Sequence, residues 1–366
     1  MLASSPVLVS EFDFDLPGEL IAQTAAVRGE SRLMVLDRAS RRVQHDTIAA
    51  LPNHVRSGDL LVLNNTRVIA ARLLGRRVPS GGAVECLLLS RLESTDADSE
   101  SGPRSHDQRW QALVHPGQKL REGARVRFEG HAGVLDADVL ERRFFGRRVI
   151  RLRSAGPATV DELIDALGHV PLPPYIKRAD TAADRERYQT VYASVRGSVA
   201  APTAGLHFTP ELLGALAERG VERVEITLHV GYGTFKPVRT DNVEEHVVDP
   251  EPYEIAGAAA DAINRARAAR RRVLVVGTTT TRALEDSALR GGGQVVAGSA
   301  EATAFIVPGF RFQATDMLLT NFHLPRSSLL MLVAAFAGRD LVLAAYREAV
   351  VERYRFYSYG DAMLIV

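Results

Sequence analysis

Four stretches in the second half of the chain place polar side chains where chemistry is possible. In GSVAAPTAGLHFTPELL (197–213), small residues let the backbone pass close to another group before His207 appears ahead of a helix start. In TLHVGYGTFKPVR (227–239), His229 precedes Gly231, Gly233 and Lys236. In VLVVGTTTTRALE (273–285), a short apolar run ends at Gly277 and four threonines follow. In DMLLTNFHLPRSSLLML (316–332), Asn321 and His323 close another apolar run. Imidazoles titrate near neutral pH and serve as general acids or bases. Glycines at a strand end admit a ligand close to the backbone, and the free amides of a helix start attract anions. Each pattern also has a plain packing explanation: a tight turn, a glycine hairpin, an N-cap, a hydrogen-bonded buried asparagine.

The elements around these residues set where they point. Strict alternation over 224–230 puts Val224, Ile226, Leu228 and Val230 on one face and Glu225, Thr227 and His229 on the other, so His229 is expected off the core. Thr209 and Pro210 read as N-cap and first residue of a helix, stapled by Phe208 and Leu213. A buried strand over 273–276 runs into the threonines, and open α/β sheets bind ligands off strand carboxyl ends. Neither GxGxxG nor GK[ST] is present, so the common dinucleotide and P-loop fingerprints are absent. A strand over 317–322 leads to a wholly apolar helix capped by Ser327 or Ser328, which would hold the Asn/His group rigidly. Further strands are expected at 32–36 and 60–63. A short helix capped by Asp46 and broken at Pro52 is expected, with others starting at Thr159 (a capping box with Glu162), over the Ala-rich 255–271, and at Asp340. Between 73 and 152 five short β-like runs (84–89, 110–114, 125–128, 134–140, 147–152) are separated mostly by glycine turns, the pattern of a small barrel or sandwich. The expected architecture is a mixed α/β main body, residues 1–72 plus 153–366, with an inserted all-β domain over 73–152.

Composition narrows the class. The 366 residues, 46% hydrophobic and 24% charged, are those of a globular chain of two domains, or of one with an insertion. The single cysteine, Cys86, permits neither an internal disulfide nor a cysteine metal cluster. The N-terminus lacks a basic stretch and a long apolar run, and the longest apolar run, 329–337, falls short of the ~20 residues of a membrane span. A soluble, cytoplasmic protein without membrane contact is expected. Net charge is +1, but LERRFFGRRVIRLR (140–153) carries six Arg against one Glu. Arg142, Arg143, Arg147 and Arg148 there are candidates for a phosphate backbone. The Ser/Asp/Glu-rich 91–109 has little to bury and reads as a flexible surface loop.

The quoted stretches, with FDFDLPGELIAQ, GDLLVLNNTRVIAARL, GHVPLPPYIKR, EEHVVDPEPYEI and YRFYSYGDAMLI, together resemble the S-adenosylmethionine:tRNA ribosyltransferase-isomerase family of queuosine biosynthesis, in order and over essentially the whole chain. Departures are local: Tyr232 between two glycines, Thr280 and Thr281, and SAEATAFIVPG, which has alanines where the family commonly has Gly and an acidic residue. The resemblance implies an α/β main domain with a barrel-like sheet and a small inserted β-barrel. It implies transfer and isomerisation of the ribosyl part of S-adenosylmethionine onto the amine of 7-aminomethyl-7-deazaguanine at the tRNA wobble position. Epoxyqueuosine-tRNA, adenine and methionine would result. S-adenosylmethionine would be consumed as a cosubstrate with no separate cofactor and no metal, and a monomer is expected.

That reaction requires a base for the proton on the carbon beside the sulfonium, a donor to the departing adenine, and an anion site for the methionine carboxylate. On the family motifs, His207, His229 and His323 are candidate acid/base groups. Thr278, Thr279 and Arg282 are candidates for the carboxylate. Glu301, Asn321 and Asp361 could hold adenine, ribose hydroxyls or the amine. Tyr357 or Phe235 could stack on a base, and Thr203 and Lys236 complete the candidate substrate contacts. A metal hydrolase using His207, His229, His246 and His323 with Glu245 or Asp249 lacks any HExxH-type spacing. A purely RNA-binding protein would leave the histidine and threonine clusters unused.

Overall fold

The structure, a computed structural model, describes residues 7–92, 105–235 and 238–366, and of Phe145 and Phe235 the backbone alone. In chain order the main-body strands are β1 (Arg32–Asp37), β2 (Arg42–Thr47), β3 (Leu60–Asn64) and the short β4 (Thr66–Val68). The barrel follows as β5 (Arg72–Val78), β6 (Ala83–Leu92), β7 (Asp107–His115), β8 (Arg125–Gly130), β9 (Gly133–Arg142) and β10 (Arg147–Ser154). The chain then forms β11 (Val195–Ser198), β12 (Glu222–Leu228), β13 (Glu251–Ile255), β14 (Val273–Val276), β15 (Gly298–Ala302), β16 (Met317–Asn321) and β17 (Ala362–Ile365). The helices are α1 (Val160–Leu167), α2 (Ala182–Arg187), α3 (Pro210–Glu218), α4 (Gly257–Ala268), α5 (Thr278–Arg290), α6 (Ser328–Ala337) and α7 (Arg339–Val351).

Nine strands form one sheet in the order β15-β13-β12-β3-β14-β16-β17-β1-β2. Its centre is parallel: β12, β3, β14 and β16 run the same way, so their carboxyl ends share one edge. The central strands are apolar on both faces, as strands covered on both sides must be. Leu60 and Val62 of β3 pack with Ile226, Val273 and the alanines of α4 and α5. Leu61 and Leu63 pack on the opposite face with Leu274, Leu319 and Leu212 of α3. The antiparallel β13 and β17 bring two further segments to the carboxyl edge, because Tyr253 registers with Leu228 and Ala362 with Asn321.

The six strands β5–β10 close into a barrel in the order β10-β7-β6-β5-β8-β9. Alternate residues fill it, among them Leu73, Cys86, Trp110, Phe128 and Leu152, and Val160, Leu163 and Ile164 of α1 pack against that core. Burial pushes the Cys86 thiol up to about 12, so it stays protonated.

Several local expectations change. Arg91 and Leu92 belong to β6, Ser105 is buried, and Asp107 to Arg109 belong to β7, so most of both ends of the expected loop are ordered. Residues 93–104 of it lie outside the described residues. Asp46 sits inside β2 and caps no helix; a 3-10 turn, Ile48–Asn53, follows Thr47. Ile255 ends β13, and the Ala-rich helix starts only at Gly257. Asp340 lies in the first turn of α7, whose N-cap is Gly338. No single helix among the described residues is long and apolar enough to cross a membrane; α6 and α7 together reach that composition but bend by 116°.

Candidate active site

The parallel carboxyl edge gathers Thr66, just past β3, His229, just past β12, Gly277–Thr279, past β14, and Asn321–His323, at the end of β16. Around the turn Gly231–Thr234 lie several spaces. A cleft of about 500 Å³ is walled by Arg91, Trp110, Arg147 and Arg196 together with His229 and Asp249. A cavity of about 40 Å³ is lined by Thr203, Thr278, Thr279, Asn321, His323 and Tyr357, with Val230 and Thr234. Another space, about 580 Å³, carries Arg72, His115, Lys177 and Arg178, and shares Tyr232 with the cleft.

His229 is the histidine best placed for proton transfer. Its Nδ1 lies 2.8 Å from Thr66 Oγ1, and its backbone N–H donates to the Pro252 carbonyl. Among the described residues Nε2 has no hydrogen-bond partner. Gly197 lies flat against the ring, where a Cβ would fall 2.7 Å from Cε1; at φ +151° that glycine is also in a region other residues avoid. Partial burial lowers the imidazole pKa, with Glu254 pulling it back up, so the neutral base form is favoured.

His207 and His323 are differently held. His207 has both nitrogens engaged, Nδ1 with Ser31 Oγ at 2.8 Å and Nε2 with Asn321 Nδ2 at 3.1 Å. His323 Nε2 meets Thr320 Oγ1 at 2.9 Å, and its backbone N–H donates to the Tyr346 hydroxyl. Burial lowers their pKa values to about 4 and about 3. Both are depressed from the ordinary 6.5, so below that value the unfolded chain binds more protons than the folded one. Their contribution to stability is full above pH 6.5 and is lost as pH falls toward 4. The melting temperature should therefore drop across that window, and the drop should lessen in His207→Gln. A flat wild-type profile, or an unchanged slope in the variant, would contradict neutral burial of His207.

The threonines divide by function. Thr280 and Thr281 donate back to the Val276 and Gly277 carbonyls, whereas Thr278 and Thr279 line the small cavity. Arg282 points elsewhere. It is buried, paired with Glu251 Oε2 at 2.6 Å, and donates to the carbonyls of Ala302 and Ala304. Glu251 Oε1 in turn accepts from Gly231 N and Thr234 Oγ1. Arg282 thus fixes the turn through Glu251, and its donors are engaged away from the expected carboxylate.

Other expected contacts are dispersed. Glu301 is exposed on the edge strand β15, away from the cavity. Asp361 is buried but accepts from the backbone N–H groups of Arg32 and Arg355, a structural role. Tyr357 lines the small cavity at φ +76°, its ring edge-on to Tyr175. Phe235 closes the turn with its backbone, and Lys236 lies outside the described residues. Of the basic run, Arg142 and Arg143 are exposed, and Arg143 pairs with Glu141. Arg147 faces the cleft and pairs with Asp249. Arg148, by strand parity on the opposite face, is 3% exposed and donates to the Leu120, Gly117 and Arg147 carbonyls, which takes it off the RNA-facing set. Among the described residues no three His, Cys, Asp or Glu side chains converge as metal ligands.

Thr66, Gly197, Glu251, Arg91 and Arg196 escaped sequence reasoning. Thr66, Gly197 and Glu251 stand inside the quoted family stretches, in NNTRV, GSVAAP and DPEPYEI, and carry no other local signal.

Comparison with known proteins shows the family to which the chain belongs. A family model described as queuosine biosynthesis protein matches residues 9–365. The chain is 49% identical to a protein of Heliobacterium modesticaldum and 50% identical to one of Symbiobacterium thermophilum. Each match covers 98% of this chain and 99% of the relative, and both relatives are named S-adenosylmethionine:tRNA ribosyltransferase-isomerase. The crystal structure of S-adenosylmethionine tRNA ribosyltransferase from Thermotoga maritima aligns at 37% identity, covering 98% of this chain and 100% of that one, with a TM-score of 0.52.

Proposed function

The chain belongs to the queuosine biosynthesis protein family, and from that premise we infer that it transfers and isomerises the ribosyl group of S-adenosylmethionine onto 7-aminomethyl-7-deazaguanine at the tRNA wobble position. The products are epoxyqueuosine-tRNA, adenine and methionine. The observation that carries this reading is His229: a neutral imidazole held at one nitrogen by Thr66, in a cleft lined by Arg91, Arg147 and Arg196.

The reaction needs a proton removed from the carbon beside the sulfonium, then attack by the uncharged amine as adenine departs. His229 Nε2 is the group we assign to proton transfer in the cleft. Thr66 fixes the ring through the other nitrogen, and Gly197 keeps one ring face clear of side chain. The guanidinium groups of the cleft are paired with aspartates (Arg147 with Asp249, Arg91 and Arg196 with Asp161) and would exchange them for an approaching phosphate backbone, and the exposed Arg142 and Arg143 extend that basic surface over the barrel. S-adenosylmethionine is consumed as a cosubstrate, with no resident cofactor required. The protein acts as a monomer in the cytoplasm.

The test is purified protein with S-adenosylmethionine and tRNA carrying the aminomethyl base, in the presence of a chelator. Adenine and methionine should appear in step with modified tRNA, and only when that tRNA is present. Methyl transfer to tRNA instead, or complete dependence on added metal, would overturn the assignment.

A further inference from the structure

We propose that the small cavity off β14 and β16 is a recognition site for an α-amino acid, the methionine end of S-adenosylmethionine, so that free L-methionine occupies it too. This rests on the ribosyltransferase reading for the identity of the ligand, and on two independent features of the cavity for its chemistry.

The first is an uncapped helix start. α5 runs for 13 residues from Thr278, and its first turn has neither a side-chain cap nor an acidic residue. Gly277, at φ +93°, turns the chain sharply from β14 into the helix. Amide donors of the first turn have no partner within a helix, and the dipole adds partial positive charge, so a carboxylate is the natural guest. Thr278 and Thr279 bring this end of α5 into the cavity wall.

The second is an acceptor without a donor. Asn321 is 2% exposed and lines the same cavity. Its Nδ2 donates to the Tyr357 carbonyl at 3.2 Å and to His207 Nε2 at 3.1 Å. The Tyr357 carbonyl can only accept, which fixes the amide orientation and sends Oδ1 the other way. Oδ1 is buried and has no hydrogen-bond partner. His207 thereby becomes a positioning residue: with Nε2 accepting from Asn321, its proton sits on Nδ1 toward Ser31.

A buried acceptor wants an N–H donor, and a bare helix start wants an anion. Ammonium and carboxylate on a single carbon supply both. At about 40 Å³ this cavity is a small fraction of the cleft, about 500 Å³ by the same measure, so the head group goes here and the bulk of the cosubstrate in the larger space. Val230 lines both this cavity and the cleft, so a ligand anchored here can extend its sulfonium and ribose toward His229.

The experiment is calorimetric titration of the full chain with L-methionine, with 4-(methylthio)butanoate, which lacks the ammonium, and with 3-(methylthio)propylamine, which lacks the carboxylate. L-methionine should bind at least about tenfold tighter than either analogue, the scale of one charge-assisted hydrogen bond. Asn321→Leu should remove the preference over the butanoate while leaving butanoate affinity nearly unchanged. Adenine release by the wild-type protein is measured on the same preparation. Adenine release without discrimination among the three ligands would overturn the amino-acid site and leave the reaction standing. An equal loss of both ligands in Asn321→Leu would reduce Asn321 to a structural residue and overturn its assigned contact. Discrimination without adenine release would support the site and overturn the reaction.

Discussion

Replacing His229 with glutamine is expected to lower turnover by about 100-fold or more, the low end of what general acid–base catalysis contributes. The fold should survive. The ring lies partly open in the cleft, its neighbours Leu228 and Val230 carry the packing, and an amide can still meet Thr66. A stability change within roughly 1 kcal/mol is the usual size for such a site. The pH profile separates the roles. Burial depresses the His229 pKa, so wild-type kcat/KM should hold through neutrality and decline only below the ordinary imidazole range, as the ring gains its proton. That acid limb should vanish in His229→Gln if the ring moves a proton. A rise in KM with kcat intact would make it a substrate contact instead. Full activity at wild-type affinity would remove it from the site and make His323, on the small cavity, the leading candidate base.

Glu251→Ala should cost more stability than any surface change, about 3–5 kcal/mol, because it strands a buried guanidinium. Glu251 and Arg282 are 2% and 8% exposed and meet at 2.6 Å. The substitution also removes the acceptor for Gly231 N–H and the Thr234 hydroxyl. Urea unfolding of the variant would measure the loss. Replacing both partners with apolar residues, Glu251→Leu with Arg282→Met, should recover most of it, since no charge is then left buried alone. Activity should remain low in both proteins because the turn has lost its anchor. A loss below about 1 kcal/mol in Glu251→Ala would mean that water or another group takes the place of the carboxylate.

The parts of this architecture that were legible in the sequence are those fixed by local pattern. Alternation over 224–230 put His229 off the core, and the capping residues Thr159, Thr209 and Ser327 marked helix starts that the structure has. Five of the six barrel strands were visible as short apolar-rich runs between turns, whereas β5, with the sequence RLLGRRV, offered no such run and was missed. What pattern could not reach is pairing between distant segments. Arg282 follows four threonines at a helix start and looked like an anion ligand, but its partner lies in β13, a strand of five residues bearing two glutamates and a proline. Edge strands leave little periodic signal, β2 because it is largely polar and β15 because it is built mostly of small residues. Arg148 differs from its neighbours only by facing the other side of β10, and carbonyls 28 and 31 residues away receive it. Thr66 meets His229 across 163 residues, which no local rule anticipates.

The turn Gly231–Thr234 is a wall held in common: Gly231 borders the cleft, Thr234 borders the small cavity, and one carboxylate pins both. Guests seated on its two sides would share that wall, and any shift of it that one guest caused would be felt by the other. Whatever factor tRNA docking adds to S-adenosylmethionine affinity by settling that partition, S-adenosylmethionine returns to tRNA in equal measure. On the sites proposed above, such linkage would guard a reactive sulfonium: the cosubstrate would be gripped hardest with its acceptor in place, and idle breakdown in the absence of RNA would be held down.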